Sequence, residues 1–439
     1  MDLTRLGLAD APSVEIRDLA YDTRSVTPGA LFFCIPGTNA DGHELAADAV
    51  AAGAVALVVE HPVAVDVPQV VVQSVRAAMG PAAVRFFGDP SRELEVAAVT
   101  GTNGKTTSAF LLHAILDKAG RSPALLTNIK RLVGGRSRET GLNTPESIDL
   151  QRLFREMLDA GDRSCVMEAT SIAAAKGRLA GTRFEVLVFT NLTQDHLDFH
   201  GSMEEYFAAK RALFDHAEHA VVNVDDEWGR RLAAELPHAL TFTPDDDLGD
   251  IDLRLRGRFN RANALGAIAA ARAIGVGEEA IRAGVESLAG VPGRFESVEA
   301  GQPFAVIVDY AHTPDSLANV LEAARGLGDG RLIVVFGAGG DRDREKRPMM
   351  GRAAARLADR AIVTTDNPRT EDPAEIAAQV AEGKLEIVLD RRSAIAAALA
   401  DAQPGDVVVI AGKGADTEME LAGGSVPFDD RAVARELLA

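Results

Sequence analysis

A short glycine-containing stretch is the part of this sequence whose residue types point most clearly to chemistry: Gly101-Thr102-Asn103-Gly104-Lys105-Thr106-Thr107. Two glycines let a backbone turn tightly and direct its N–H groups at phosphate oxygens. Lys105 can reach the outer phosphates of a nucleotide, and the hydroxyl of Thr106 or Thr107 can join the shell of a magnesium ion. The stretch therefore predicts a phosphate loop for a nucleoside triphosphate.

The elements on either side of this stretch agree with that prediction. An apolar run over 94–100 predicts a buried strand, and a helical pattern begins at Ser108. Strand, glycine turn and helix, in this order, are the context that a phosphate loop requires. The strict G-x-x-x-x-G-K-[ST] pattern has glycine where this chain has Val99, so the loop is a shorter G-x-x-G-K-T-T variant. An ordinary glycine-rich turn with a solvated lysine is the alternative interpretation.

Further polar side chains follow two other predicted strands. The run 164–167 predicts a strand that ends at Glu168, and the run 184–190 predicts one that is followed by Asp195 and His196. Ligands of open α/β sheets collect at the carboxyl ends of the strands. We therefore expect these groups on the same side of the sheet as the phosphate loop, as candidates for a magnesium or phosphate site. Any one of them alone is more often a helix cap.

Lys210 lies in a predicted helix that begins near Ser202. Ser202 can cap this helix, with Glu205 completing a capping box. The apolar side of the helix leaves Lys210 close to a half-buried face. By sequence physics alone, this pattern is typical of a surface lysine with its charged end in water.

Charge and cysteine content narrow the classes of protein. Among 439 residues, 46 are basic and 65 acidic, and the formal net charge of -19 disfavours a nucleic-acid or anionic-membrane partner. Cys34 and Cys165 lie in apolar runs without metal-ligand spacing, which favours a reducing compartment over a disulfide scaffold. The first residues lack a signal-peptide pattern, and no apolar stretch approaches about 18 residues. We expect a soluble, cytoplasmic protein.

Alternating strand and helix patterns predict an α/β fold of three domains. Residues 1–88 predict a small α/β domain, and residues 89–292 a central P-loop ATPase-like domain with a parallel sheet. Residues 293–439 contain four apolar runs separated by helical patterns, which predicts a doubly wound, Rossmann-like domain. The glycines at 337–340 lack the full dinucleotide fingerprint, which disfavours a dinucleotide site.

Eight further motifs stand in a fixed order from about residue 20 onwards: Asp22-Thr23-Arg24, Asn191-Leu192 with Asp195-His196-Leu197-Asp198, 206–214, Asn260 with Asn263, Gly293-Arg294, 309–315, 339–343 and Asp366-Asn367-Pro368-Arg369. Any one of them could occur by chance, but so many in one order could not. Together with the phosphate loop, they resemble the motifs of the Mur ligases, ATP-dependent amino-acid ligases of peptidoglycan precursor synthesis.

The resemblance implies that the first domain holds a uridine nucleotide, the central domain binds ATP and the last domain brings the incoming amino acid. Besides the phosphate loop, it assigns four residues to ATP: Asn260, Arg294, Asp309 and His312. It assigns a longer set to the UDP-linked substrate: Tyr21, Thr23, Thr38, Asn39, Ala40, Asn143, Thr144, Thr170, Lys176 and Arg178.

The resemblance also implies a catalytic set of Lys105, Glu168, His196 and Lys210. Thr106 and Glu168 would serve one Mg²⁺, and His196 and Lys210 a second. Lys210 matches a lysine that the family carboxylates with CO₂, which converts a repelling cation into an oxygen ligand. This interpretation replaces that of a surface lysine.

The last domain resembles members that add meso-diaminopimelate, in which an arginine binds the distal carboxylate of the amino acid. A planar guanidinium suits this task better than an ammonium. The implied amino-acid set is Arg342, Asp366, Asn367, Pro368, Arg369, Gly412 and Asp416. Three features depart from the family: Ala415-Asp416 replaces His-Glu, Ile172 replaces a histidine, and the stretch 240–256 is short.

The expected function is therefore ATP-dependent addition of a diamino acid, meso-diaminopimelate, to UDP-N-acetylmuramoyl-L-Ala-D-Glu through an acyl phosphate. The alternatives are a divergent Mur-type or folylpolyglutamate-type ligase acting on another carboxylate, and a non-catalytic nucleotide-binding protein. The expected partners are small molecules, with no nucleic acid and no membrane, and the expected state is a monomer.

Overall fold

A computed structural model describes residues 1–9, 11–37, 40–138 and 140–439. Strands and helices alternate along these ranges, and the predicted α/β class is confirmed. The longest helix found there, Arg258–Ala273, has 16 residues. In this described part of the chain, no helix is long and apolar enough to cross a membrane.

The first segment forms a four-stranded parallel sheet with the order β1-β2-β3-β4. Buried apolar side chains lie on both faces, because the inner strands are apolar throughout. Short 3₁₀ turns cover Leu3–Leu6, Thr23–Ser25 and Pro90–Arg92. The elements are β1 (Asp18–Ala20), β2 (Ala30–Phe33), α1 (Ala46–Ala51), β3 (Ala54–Val59), β4 (Gln69–Val71) and α2 (Val75–Phe87).

The central segment contains an eight-stranded sheet and the helices that connect its strands. Its elements are β5 (Glu95–Thr100), α3 (Lys105–Lys118), β6 (Pro123–Leu126), β7 (Arg131–Val133), β8 (Arg136–Arg138), α4 (Ser147–Ala160), β9 (Ser164–Glu168), α5 (Ser171–Ala175), β10 (Phe184–Phe189), α6 (Leu197–His200), α7 (Met203–Arg211), a 3₁₀ turn (Ala212–His216), β11 (Ala217–Asn223), α8 (Glu227–Glu235), β12 (Leu240–Phe242), α9 (Arg258–Ala273) and α10 (Glu278–Ser287). The strand order is β12-β11-β10-β5-β9-β6-β7-β8. The pairs β6–β9 and β11–β12 are parallel, whereas β7 and β8 form an antiparallel edge.

The last segment is the doubly wound domain that the sequence predicts. Its six-stranded sheet has the order β13-β14-β18-β15-β16-β17, and all pairs except β13–β14 are parallel. Separate apolar cores cover its two faces. The elements are β13 (Glu296–Ser297), β14 (Ala305–Asp309), α11 (Pro314–Arg325), β15 (Leu332–Phe336), α12 (Lys346–Leu357), β16 (Arg360–Val363), α13 (Pro373–Ala381), β17 (Glu386–Ile387), α14 (Arg391–Asp401), β18 (Val407–Ala411), the hairpin β19 (Glu418–Leu421) and β20 (Gly424–Pro427), and α15 (Asp430–Leu438).

The chain divides into two compact units. Unit 1 comprises Met1–Ala98, Gly120–Leu187 and Ala209–His219, and unit 2 comprises Val99–Ala119, Val188–Ala208 and Ala220–Ala439. Unit 1 contains the N-terminal sheet, whereas unit 2 contains the phosphate loop and the C-terminal sheet. The boundaries of the three predicted domains remain a prediction.

Candidate functional site

The phosphate loop of unit 2 has the geometry that its glycines predict. It follows the last residue of β5, and α3 begins at Lys105, three residues before the predicted start at Ser108. The earlier start is possible because Gly104, with φ of 89°, ends the loop in the left-handed conformation. A Cβ on Gly101 would collide with Thr190, and one on Gly104 would collide with Asn263. Only glycine fits at these two positions.

Residues at the end of β10 hold this loop in place. The Asn103 N–H donates to Asn191 Oδ1 at 2.9 Å, and the Thr102 N–H donates to the Asn191 carbonyl at 2.9 Å. The Thr190 hydroxyl donates to the Asn103 carbonyl at 2.6 Å. Lys105 Nζ donates to the Thr102 carbonyl at 2.8 Å, so the lysine folds back over its own loop. These hydrogen bonds fasten the loop to the residues that follow β10.

Arg294 connects the C-terminal segment to this loop. Its Nη2 donates to Thr106 Oγ1 at 3.0 Å, and its guanidinium lies 4.2 Å from the centre of the Tyr310 ring. Nearby, His312 Nδ1 lies 2.8 Å from the Tyr310 carbonyl. Arg294 thus brings a fixed positive charge to the start of α3, where phosphate oxygens are expected.

Asp309 organises the backbone that follows β14. Its two carboxylate oxygens accept the N–H groups of Phe295 at 2.6 Å and Ala311 at 2.7 Å. Burial raises the pKa of Asp309, although Arg294 opposes this shift. The carboxylate therefore shapes the turn after β14, and its ATP contact remains a prediction.

Asn260 is buried on α9 and is linked indirectly to α3. Its Nδ2 donates to the Arg256 carbonyl at 2.8 Å, and its Oδ1 accepts from Asn263 at 3.2 Å. Asn263 in turn accepts from Ser108 at 3.4 Å. The two asparagines lie on one face of the helix, as their spacing predicts.

A charged cluster around Asp195 joins the predicted residues His196 and His312 to Lys346, which sequence patterns missed. Asp195 Oδ1 lies 3.2 Å from Lys346 Nζ, and Oδ2 lies 3.4 Å from His196 Nε2 and 3.7 Å from His312 Nε2. Burial alone would raise the pKa of Asp195, but Lys346 and the imidazoles outweigh it and hold this pKa well below its usual range. No pattern in the sequence marks Lys346, because its partner lies 151 residues away.

In unit 1, β9 ends at Glu168 as predicted, and this residue is buried, with 1% exposure. The Asn128 N–H donates to Glu168 Oε1 at 3.4 Å. The Thr144 hydroxyl donates to the Glu168 carbonyl at 2.8 Å and lies 3.2 Å from Thr170 Oγ1. The structure therefore brings two of the predicted acceptor residues to the strand end that presents Glu168.

A basic cluster surrounds Glu146 next to these threonines. Arg178 Nε donates to Glu146 Oε1 at 2.9 Å, and Arg76 donates to Oε2 at 3.3 Å. Burial, together with the charges of Arg178 and Arg76, lowers the pKa of Lys176. Three cations around one carboxylate leave a positive surplus that suits an anionic ligand. Sequence patterns did not identify Arg76 or Glu146.

The remaining predicted acceptor residues have less defined surroundings. The Tyr21 hydroxyl donates to Asp149 at 2.5 Å, and burial together with this bond raises the pKa of Tyr21. Thr23 begins a 3₁₀ turn, and Ala40 and Asn143 are exposed. Two further predicted residues, Thr38 and Asn39, lie outside the described residues.

Lys210 is buried in the last turn of α7, with 1% exposure. This contradicts the interpretation as a surface lysine, because its charged end does not reach water. Burying an ammonium group is costly unless its surroundings compensate the charge. Ser202 accepts the Glu205 N–H at 3.2 Å and caps α7 as predicted.

The Asp366–Arg369 motif follows β16 in unit 2. Asn367 Oδ1 accepts from Lys413 Nζ at 2.9 Å and from the Glu420 N–H at 3.0 Å. Asp366 Oδ2 is buried and has no hydrogen-bond partner among the described residues. It lies so close to Gly412 that a Cβ there would collide with it.

The other residues of the predicted amino-acid set flank this motif. Burial raises the pKa of Asp416. Arg342 is exposed and donates to the Asp341 carbonyl at 3.0 Å. The Pro368 carbonyl lies so close to Gly340 that a side chain there would collide with it. The glycine turn after β15 therefore packs directly on the motif.

The predicted magnesium ligands have suitable donor chemistry only in part. Among the described residues, no three His, Cys, Asp or Glu side chains form a cluster that could hold a metal ion. The Thr106 hydroxyl and the buried Glu168 carboxylate are oxygen donors of the kind that Mg²⁺ prefers. An unmodified Lys210 ammonium would repel the ion. The predicted set fits Mg²⁺ only if Lys210 carries an oxygen donor.

Three family models match the chain and confirm the resemblance. They are described as Mur ligase family, catalytic domain, over residues 15–87; Mur ligase middle domain, over 99–242; and Mur ligase, glutamate ligase domain, over 293–414. Each matched range falls within one of the three predicted domains.

Similar proteins cover nearly the full length of the chain. A UDP-N-acetylmuramoyl-L-alanyl-D-glutamate–2,6-diaminopimelate ligase of Solibacter usitatus is 45% identical, over 97% of this chain and 94% of the relative. The protein of the same name from Geobacillus thermodenitrificans is 43% identical, over 96% and 94%.

Solved structures share the fold. The structure of a UDP-N-acetylmuramoyl-L-alanyl-D-glutamate–2,6-diaminopimelate ligase covers 100% of this chain and 98% of its own, with a TM-score of 0.68 and 30% identity. A MurF structure from Acinetobacter baumannii has a TM-score of 0.68 at 21% identity, covering 97% and 94%, which supports the fold alone.

Proposed function

Because the chain belongs to the Mur ligase family, we propose that it is an ATP-dependent ligase that adds meso-diaminopimelate to UDP-N-acetylmuramoyl-L-Ala-D-Glu. One observation carries this proposal: relatives named for this reaction span nearly the whole chain. Their match therefore includes both the phosphate loop and the Asp366–Arg369 motif. The reaction contributes to peptidoglycan precursor synthesis.

The chemistry requires an acceptor carboxylate to attack the γ-phosphate of ATP, although both are anions. Lys105 and Arg294 place positive charge beside the phosphate loop, where it offsets this repulsion and stabilises the charge that spreads over the transferred phosphoryl group. The acyl phosphate is then attacked by the amine of the amino acid, and inorganic phosphate leaves. Asn260, Asp309 and His312 complete the proposed ATP set.

We assign Thr106 and Glu168 to one Mg²⁺, and His196 with a carboxylated Lys210 to a second. When bound, Mg²⁺ supplies charge neutralisation at the phosphoryl oxygens. Carboxylation joins the neutral lysine amine to CO₂ with release of a proton. The burial of Lys210 supports this assignment, because a carbamate exchanges a buried cation for an anionic oxygen ligand.

For the UDP-linked acceptor, we propose the binding residues that the resemblance implies. The basic cluster of Arg76, Lys176 and Arg178 supports this assignment. That cluster can receive a carboxylate or phosphate group of the UDP-linked substrate. For the amino acid, the proposal assigns the distal carboxylate to Arg369, with Asp366 and Asn367 beside it.

The direct test incubates the protein with ATP, Mg²⁺, UDP-N-acetylmuramoyl-L-Ala-D-Glu and one amino acid at a time. We expect phosphate release and a new UDP-linked tripeptide with meso-diaminopimelate, and much less product with L-lysine. Omitting the acceptor should abolish phosphate release. If the protein forms no product with any diamino acid, the proposal is overturned.

A further inference from the structure

The guanidinium of Arg369 is held in place by backbone groups. Arg369 adopts a left-handed conformation with φ of 51°, which is unusual for a residue with a side chain. Its Nη1 donates to the Gly340 carbonyl at 2.8 Å, and a Cβ on Gly339 would lie 3.1 Å from the same nitrogen. The side chain thus lies against the glycine turn after β15, with 22% of its area exposed.

This guanidinium already forms an ion pair with a carboxylate of the same chain. Glu420, on β19, places Oε2 at 2.6 Å from Arg369 Nε, and 51% of the Glu420 side chain is exposed. A carboxylate from solution would compete for the same nitrogen. The ion pair is therefore formed where the proposed function places the distal carboxylate of the substrate.

The backbone of Glu420 is anchored independently of its side chain. The Glu420 N–H donates to Asn367 Oδ1 at 3.0 Å, and the Arg369 N–H donates to the Glu420 carbonyl at 3.1 Å. The hairpin β19–β20 is paired along its full length, from Glu418–Pro427 to Leu421–Gly424. The Glu420 carboxylate can therefore leave Arg369 without releasing the hairpin.

We propose that Glu420 is an internal competitor, whose carboxylate neutralises Arg369 before the amino acid binds and is exchanged for the distal carboxylate of the incoming amino acid. This inference rests on the proposed function, which assigns that carboxylate to Arg369. An amino acid with its own distal carboxylate replaces one ion pair with another. L-Lysine has no group to exchange, so Arg369 keeps Glu420 and the lysine gains no ion pair there.

The test compares Glu420→Gln with the wild type in steady-state ligation of meso-diaminopimelate. Because glutamine removes the competing charge but keeps the shape, we expect KM for meso-diaminopimelate to fall about three- to tenfold with kcat unchanged. KM for L-lysine should not fall. The matched control is Glu418→Gln, because Glu418 is an exposed glutamate on the same face of β19.

A second variant separates competition from a structural role. On an Arg369→Ala background there is no guanidinium to compete for, so Glu420→Gln should leave KM unchanged. A drop in KM that persists without Arg369, or an unchanged KM in Glu420→Gln alone, would overturn the inference. A rise in KM would also overturn it, because Glu420 would then be attracting the substrate ammonium.

The wild-type enzyme distinguishes the two levels of the proposal. If it forms no product with meso-diaminopimelate, the proposed function fails, and the inference fails with it. If it forms product and Glu420→Gln has the same KM for meso-diaminopimelate as Glu418→Gln, only the inference fails.

Discussion

Lys210 is buried in the last turn of α7, and under the proposed function its carbamate holds a metal ion. We expect Lys210→Ala to lower kcat for ligation and for phosphate release by about 100-fold or more, since the proposed ligand of the second charge-neutralising Mg²⁺ is lost. Nucleotide affinity, measured by calorimetry with ADP, should change much less. The exposed Lys118→Ala is the matched control.

A non-catalytic nucleotide-binding protein predicts the opposite result. In that case, Lys210→Ala would leave phosphate release unaltered relative to Lys118→Ala. Circular dichroism of both variants shows whether the loss reflects chemistry or misfolding.

Arg369 tests the amino-acid pocket at the same scale. Arg369→Lys keeps the charge but loses the planar fork, so we expect KM for meso-diaminopimelate to rise about 10- to 100-fold. The steady-state KM for ATP should stay within error of the wild type. Arg392→Lys, an exposed arginine paired with Glu436, serves as the control. An equal KM for meso-diaminopimelate in both variants would show that Arg369 does not bind the amino acid.

At the scale of the structural elements, the phosphate loop depends on Gly104. Gly104→Ala combines a strained left-handed backbone with a collision against Asn263, so we expect ADP affinity to fall at least tenfold. Gly120 has a similar φ of 71° and open space around its Cα, which makes Gly120→Ala a control for backbone strain alone. Calorimetric titration of ADP should show near-normal affinity for this control. Similar losses in both would mean that the collision is irrelevant.

Arg347 and Glu371 connect helix α12 to the segment before α13. Two Arg347 nitrogens bond the two Glu371 oxygens at 3.0 and 2.8 Å, and Arg347 is fully buried. These bonds lower the pKa of Glu371 from 4.5 to about 2. The stabilisation is therefore complete above about pH 4.5 and is lost as the pH falls towards 2.

Glu371→Gln should accordingly lower the free energy of unfolding by about 2–3 kcal/mol at pH 7. Urea unfolding between pH 7 and pH 3 measures this difference, which should shrink below pH 4.5. Glu345→Gln, which changes an exposed glutamate nearby, should have the same free energy of unfolding as the wild type at every pH. A difference that stays constant with pH would contradict the assignment.

At the scale of the whole molecule, the Asp195–Lys346 pair connects the residues after β10 to helix α12 of the C-terminal segment. We expect Lys346→Met to lower the melting temperature, because it leaves Asp195 buried without its main cation. We also expect kcat to fall about tenfold or more, because small misplacements of reacting groups are costly. The exposed Lys384→Met is the control, and equal kcat values would show that the pair does not align the site.

Local patterns predicted most elements but not their ends. The strand over 94–100 and the one that ends at Glu168 were predicted closely, because each is a short apolar run that the fold buries. The start of α3 was placed three residues late, since the pattern of apolar residues does not reveal where Gly104 ends the loop. The hairpin β19–β20 was missed because its strands are mostly exposed.

The sequence by itself determined the phosphate loop, the α/β class and the family, because these depend on residue types at short spacing. Only the tertiary structure revealed that Lys210 is buried, that Arg76 joins the basic cluster around Glu146, that Lys346 faces Asp195 and that Glu420 forms an ion pair with Arg369. The three contacts join residues that are 51, 70 and 151 positions apart. Ion pairs between residues so far apart produce no periodic pattern in a single sequence. They are therefore determined only by the packing of the folded chain.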